Sequence, residues 1–274
     1  MKKYLPLLGF FAIFEAVAIT LWLVLDNIFY LFNFTYIGAA LSIGIFFYIK
    51  KYRFARNAVQ IAVGAYMLIY LGIVNQENMQ IEGFWYYLFS GTFEAAVIHY
   101  AVAKIFGPFI FSRGWCGYAC WTAAVTDLLP NKRSGGRKKG LSWIRYAVFA
   151  VSLIFVGILF ILGVKDLHRI MFISFIAGNL LYYALGIGLS FALKDNRAFC
   201  KYICPVSVFM KPASYFSFMR IKCDTEKCTN CGACKKVCPM DVDMTDPKRS
   251  RKNGTECILC LECVKACKKD ALKL

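Results

Sequence analysis

The sequence predicts an all-α polytopic membrane bundle of about six spans followed by a small cysteine-rich domain, and three observations carry that expectation. Of the 274 residues, 59% are hydrophobic and 18% charged, whereas an ordinary soluble chain is about half apolar and roughly a quarter charged. The charged residues gather in a few short stretches and at the C-terminal end. Most of the 13 cysteines stand in tight repeats toward that same end.

A helical span needs about 20 mainly apolar residues. Six stretches qualify: Tyr4 to Leu25, Ile28 to Ile49, Ala58 to Val74, Phe84 to Phe111, Leu141 to Gly163 and Ile170 to Leu193, the third short and the fourth long. Lys50, Lys51, Arg53 and Arg56 follow the second span, Arg113 and the run Lys132 to Lys139 follow the fourth, and Lys194 and Arg197 follow the sixth. The remaining connections (Asp26-Asn27, Asn75 to Gly83, Val164 to Arg169) are short or acidic. Every second loop is basic, which predicts a multi-pass protein of the cytoplasmic (inner) membrane with both termini cytoplasmic. Lys2 and Lys3 precede the first apolar run as in a signal peptide, but no small-residue cleavage site stands out and Asp26-Asn27 leads into another span, so a retained helix is expected. A net charge of +17 would suit nucleic acid in a soluble protein. Here the basic residues follow the positive-inside distribution, and no nucleic-acid partner is expected.

From Pro205 to Ile221, aromatic and aliphatic residues alternate with Lys211 and Arg220. That pattern suits an interfacial helix, and Pro212 suits a plain linker. Beyond it the chain turns charged, cysteine-rich and short-looped. The expected organisation is a transmembrane domain over 1–204, an interfacial linker over 205–221 and a metal-binding domain over 222–274.

The tail carries Cys228-x-x-Cys231-x-x-Cys234-x-x-x-Cys238-Pro239 and then Cys257-x-x-Cys260-x-x-Cys263-x-x-x-Cys267. Such spacing reads as metal ligation rather than disulfides, which places the domain in a reducing compartment. Three cysteines at two-residue gaps wrap one iron-sulfur cubane, and the fourth reaches the neighbouring cluster. Two 4Fe-4S clusters follow, one on Cys228, Cys231, Cys234 and Cys267, the other on Cys238, Cys257, Cys260 and Cys263. Structural zinc fits less well, because its sites use four ligands per unit, commonly in pairs. The segment resembles the bacterial two-cluster ferredoxin module, which implies a small α+β ferredoxin-like domain. It departs at Lys268, which stands where the second repeat usually has proline, and a changed turn is expected there. Cys223 has no place in either repeat and reads as a free thiol.

An internal repeat lies closer to the membrane. Arg113-Gly-Trp115-Cys116-Gly-Tyr118-Ala-Cys120-Trp121 matches Arg197-Ala-Phe199-Cys200-Lys-Tyr202-Ile-Cys204-Pro205. Each copy follows a span running inward, so four thiols can meet at one depth on the cytoplasmic edge. Cysteines four apart share a helix face. Cys116, Cys120, Cys200 and Cys204 are therefore candidates for a third iron-sulfur centre or another thiophilic metal, with Arg113 and Arg197 offsetting the charge; the alternative is two pairs of packed small hydrophobes.

Paired C-x-x-x-C motifs at span ends followed by two 4Fe-4S motifs resemble the membrane polyferredoxins that include the NapH-type quinol dehydrogenase subunit and the C-terminal part of NosR-type proteins. The likeness runs from about Phe84 to the end. Pro205 is kept in the second motif, while Trp121 takes that place in the first. The resemblance implies an oxidoreductase subunit that exchanges electrons between quinone or quinol and a partner redox protein, in a multi-subunit membrane complex.

Glu15, Glu94 and His99 fall inside predicted spans, where ionisable groups are costly. A quinol loses two protons with two electrons, so Glu94 and His99 are candidate catalytic proton acceptors, although five residues of separation turns them about 140° apart on a helix. With only His99 and His168 present, a bis-histidine haem within the bundle is not expected. The alternative function is a metal reductase or assembly factor that reduces an ion such as copper at the four-cysteine pocket.

Overall fold

The structure is a computed structural model describing residues 4–93, 95–132, 135–245 and 254–274. It is mostly helical. Five helices among the described residues are long and apolar enough to cross a bilayer: α1 (Leu5–Leu25), α2 (Ile28–Ile49), α3 (Ala55–Val74), α8 (Ile144–Ile161) and α9 (Leu167–Ala192). Between α3 and α8 lie the shorter α4 (Ile81–Phe89), α5 (Ala96–Phe111), α6 (Gly114–Tyr118) and α7 (Trp121–Thr126).

The fourth expected span is not one helix. It breaks after Phe89, where Gly91 takes φ +68° and Thr92 and Gly91 donate to the carbonyls of Tyr87 and Leu88 (3.0 and 3.2 Å). This is a Schellman stop, which glycine makes cheaply. The apolar run continues past the break and hides it.

The Asn75 to Gly83 connection also differs from the expected outer loop. Asn75 and Gln76 are exposed, but Asn78, Met79, Gln80 and Ile81 are buried inside the bundle. Asn78 Nδ2 donates to Met171 O (2.9 Å) and its Oδ1 accepts from Gln80 N (2.9 Å). α4 then turns back: Phe84 stacks on Tyr100 (4.9 Å), Trp85 meets Phe149 (5.5 Å), and Tyr86 and Phe89 reach Phe160 further along α8 (6.1 and 5.6 Å). The segment dips into the bundle and returns. Non-helical backbone at such depth is tolerable where protein surrounds it. Gly83 permits the tight return, since a Cβ there would lie 1.6 Å from Asn78 O.

After α9 come α10 (Ala198–Tyr202) and α11 (Val206–Tyr215). The expected linker is largely this α11, with Ser207, Met210, Ala213 and Ser214 buried and Phe209 packed against Phe84 and Phe149 (5.3 and 5.1 Å). Pro212 sits inside the helix. The tail begins at β1 (Lys222–Cys223), which pairs antiparallel with β2 (Leu272–Lys273) and so ties the two ends of the tail together. Between them lie α12 (Ala233–Val237) and α13 (Glu262–Ala266).

The tail packs on one end of the bundle. Lys265 Nζ lies over the Tyr48 ring at the end of α2 (5.2 Å), and the basic connections after α2, α5 and α9 gather at that same end. Two carboxylates order this end of the molecule, Glu256 across the junction and Asp127 within the bundle. Glu256 receives Arg113, Arg137 (3.0 Å), Arg145 (3.1 Å) and Lys211 (3.1 Å). Asp127 receives Arg56 and Arg197. Lys201 adds a bridge to Asp195 (2.7 Å) and Asp241 (2.5 Å).

Candidate metal centres

The two halves of the tail have the same backbone. α12 and α13 occupy equivalent places, and positive φ recurs at Asn230 and Leu259, at Gly232 and Leu261, and at Asp241 and Asp270. Such angles are uncommon for residues other than glycine, so their pairwise repetition marks one loop built twice. Val242 N donates to Cys238 Sγ and Ala271 N to Cys267 Sγ, both at 3.3 Å. Lys268 therefore does not change the turn, because the second copy keeps the path that Pro239 takes in the first.

Each predicted ligand set lines one cavity. Cys238, Cys257, Cys260 and Cys263 line one cavity, with Ile221, Met240, Met244 and Ile258 around them. Cys228, Cys231, Cys234 and Cys267 line a second. Among the described residues no three His, Cys, Asp or Glu side chains converge closely enough for a single metal ion; each set of thiols instead lines a shared cavity. The first set is wholly buried, while the second contains the exposed Cys231. Cys223, outside both repeats in sequence, lies on the wall of the second cavity, because β1 folds back beside it.

The internal repeat forms two similar turns. In each, one helical turn carries the first cysteine, and the helix ends before the second: Cys120 is extended (φ −76°, ψ 120°) and precedes α7, and Cys204 follows α10 before Pro205. The expectation that each pair shares a helix face is thus corrected. The thiols are brought together by the break rather than by the helix period. Trp121, in the position of Pro205, donates from Nε1 to Asn179 Oδ1 on α9 (2.8 Å), and Gly64 lets its backbone approach α3 (a Cβ would lie 2.9 Å from Trp121 Cα).

The four thiols lie within electrostatic reach of one another. Arg113 and Arg197, both 0% exposed, divide them. Arg113 stands in the field of Cys116, Cys204 and Cys200. Arg197 feels Cys200 and Cys120, and its NH1 donates to Cys116 O (3.0 Å) and lies 3.8 Å from Cys200 Sγ. Lys104 is also buried, its Nζ over the Trp115 ring (4.7 Å). Buried cations of this density need anions. Glu256 and Asp127 supply two, yet Arg113 Nε and NH2 are buried with no hydrogen-bond partner. Those orphaned donors fit a thiolate-ligated cluster in the pocket. Burial alone would raise the Glu256 carboxyl, but Arg113, Arg137 and Arg145 outweigh it and hold it well below the usual carboxylate range. For Asp127 the same burial is outweighed by Arg197 and Arg56.

This pocket abuts the Cys257 repeat. Arg113 N and Ser112 Oγ both donate to Cys257 O (3.3 Å each), and Tyr118 Oη donates to Leu259 O (3.0 Å). The order along the molecule is therefore membrane-edge thiols, then the buried Cys238/Cys257/Cys260/Cys263 cavity, then the exposed one.

Of the sequence-predicted proton acceptors, His99 is buried edge-on to Trp115 (4.9 Å) with Nε2 unpartnered. Glu94 lies outside the described residues. Glu15 accepts from Thr35 Oγ1 on α2 (3.2 Å), a packed polar pair. Sequence reasoning missed Glu256 and Asp127, which read as ordinary loop acids until the fold brings cations to them, and Glu82, which it placed in an outer loop.

Comparisons with known proteins place 4Fe-4S families over both cysteine regions. Residues 220–268 match the 4Fe-4S dicluster domain family, and residues 96–140 and 170–222, one cysteine motif in each, match the 4Fe-4S binding domain family. The chain is 31% identical over 177 residues to an uncharacterized protein of Methanocaldococcus jannaschii (60% of this chain, 72% of that one). It is 26% identical over 193 residues to the ferredoxin-type protein NapH of Haemophilus influenzae (63% and 66%). To the putative electron transport protein YccM of Escherichia coli it is 23% identical over 193 residues (63% and 54%). No solved structure matches.

Proposed function

We propose that this chain, which belongs to the NapH-type membrane polyferredoxins, oxidises quinol or reduces quinone at the membrane edge and exchanges the electrons with a partner redox protein at the outer face of its tail. When bound, the iron-sulfur clusters supply one-electron carriers. The protein's own residues hold, screen and order them. Cys238, Cys257, Cys260 and Cys263 would hold the inner cluster; Cys228, Cys231, Cys234 and Cys267 would hold the outer one; Cys116, Cys120, Cys200 and Cys204 would hold a third. Arg113, Arg197 and Lys104 offset the negative charge of the third set and exclude water from it.

The observation that carries this reading is the direct abutment of the Cys116 motif on the Cys257 loop, through Arg113 N and Tyr118 Oη. It supports a continuous route between lipid and water, with Cys231 at the exposed end. The test mixes anaerobically purified protein with quinol and quinone analogues and follows cluster absorbance. Electron exchange with at least one analogue is expected, and none with any would overturn the reading.

A second reading rests on Met210, whose Sδ lies 3.6 Å from Cys116 Sγ in a fully buried position. Thioether beside thiol is a soft donor set suited to Cu(I), so the pocket would then serve a metal reductase or assembly factor. This reading predicts stoichiometric copper binding that Met210→Leu weakens; the quinol reading predicts no copper retention.

A further inference from the structure

Asn75 and Gln76 are exposed at the end of the bundle opposite the tail. From there the re-entrant segment descends beside α9 in three polar steps. Asn78 is bonded to Met171. Gln80 lies against Gly178, where a Cβ would stand 2.4 Å from its Oε1. Glu82 stands in electrostatic reach of Tyr182 and Tyr100, hydroxyls that also feel Cys204. Met171, Gly178 and Tyr182 succeed one another along α9, so the three side chains mark a line from the far end of the bundle toward the cysteine pocket.

Gln80 Nε2 and Glu82 Oε2 are buried and have no hydrogen-bond partner. Among the described residues Glu82 makes no ion pair, and an intramembrane carboxylate without a cation is expensive and functional by default. Glu82 lies in the first turn of α4, whose dipole favours the ionised form, while burial favours the neutral one. The elements packed on α4 present Tyr100 from α5, Tyr182 from α9, Ser152 and Phe149 from α8, and Phe209 from α11. Of these, Tyr100 and Tyr182 are the hydroxyls in electrostatic reach of Glu82, and the rings pack on its neighbours Phe84 and Trp85.

We propose that the re-entrant segment is a proton-transfer track, and that Glu82 takes the protons released by quinol and passes them past Gln80 and Asn78 toward the end of the bundle opposite the tail. The proposal rests on the quinol reading above. Quinol oxidation breaks two O–H bonds and yields quinone, two electrons and two protons. The electrons go to the iron-sulfur acceptors of the chain. The protons leave one at a time through Glu82, which ionises again between them.

The test uses the full-length, cluster-loaded protein as wild type, Glu82→Gln, Glu82→Asp and Gln80→Leu. Redox-difference infrared spectra should show a carboxylic acid band in wild type that Glu82→Gln removes and Glu82→Asp shifts. Quinol-driven cluster reduction should fall about 100-fold in Glu82→Gln, the scale of a lost general base, and be partly restored in Glu82→Asp, with reduction by dithionite unchanged throughout. Gln80→Leu should slow quinol oxidation and keep the band. An unchanged spectrum together with wild-type rates in Glu82→Gln would overturn the proposal. Wild type that fails to react with any quinol would instead remove the reading beneath it.

Discussion

Gly117 lies against the carbonyl of Ile258 so closely that a Cβ on it would stand 2.4 Å from that oxygen. The first cysteine motif and the inner cluster loop thus meet backbone to backbone, which is the shortest kind of contact two elements can make. Gly117→Ala has no flexible side chain to push aside. It should cost about 1–3 kcal/mol, the range for overpacking, and slow electron passage from the membrane edge to the tail while both tail clusters remain. Stopped-flow reduction of the tail clusters by a quinol analogue, beside thermal unfolding, checks both effects.

Glu256 is the common partner of Arg113, Arg137, Arg145 and Lys211. Glu256→Gln keeps the shape and removes the charge, leaving buried guanidiniums uncompensated. Breaking a buried pair in this way costs roughly 3–5 kcal/mol. The tail should then detach before the bundle unfolds, seen as protease cleavage between residues 215 and 222 at temperatures where wild type is intact.

The same carboxylate sets the response of docking to acid. Glu256 has a folded value below its ordinary one, so its contribution to stability is complete above the unfolded value of about 4.3 and is lost as pH falls through the lower folded value. Docking of the tail should be constant from neutral pH to about 5 and loosen only in acid below about 4. Protease accessibility measured across that range tests this, and loosening between about pH 5 and 7 would contradict it.

The parts legible in the sequence are those set by neighbours in the chain. The C-x-x-C spacing sets which thiols can wrap one cubane, and the duplicated Arg-x-aromatic-Cys pattern marks a second thiol site without any knowledge of packing. What stayed hidden depends on contacts far apart in sequence. Asn75 to Gly83 reads as a surface loop because it is polar, and only the space left by Gly178 and the turn allowed by Gly83 let it dip inside. The apolar run Phe84 to Phe111 reads as one span because the stop at Gly91 is only the short Ser90-Gly91-Thr92 step in a mainly apolar stretch. Glu82 reads as an ordinary loop acid, since its cost becomes visible only once its surroundings are known.

The most direct measurement is iron and acid-labile sulfide per chain on anaerobically purified protein, wild type beside a variant with Cys116, Cys120, Cys200 and Cys204 all changed to Ser. The expected result is iron and sulfide beyond the content of two cubanes in wild type, reduced to that content in the variant. Two cubanes in both would contradict a cluster at the membrane edge and leave the tail as the site of all the iron.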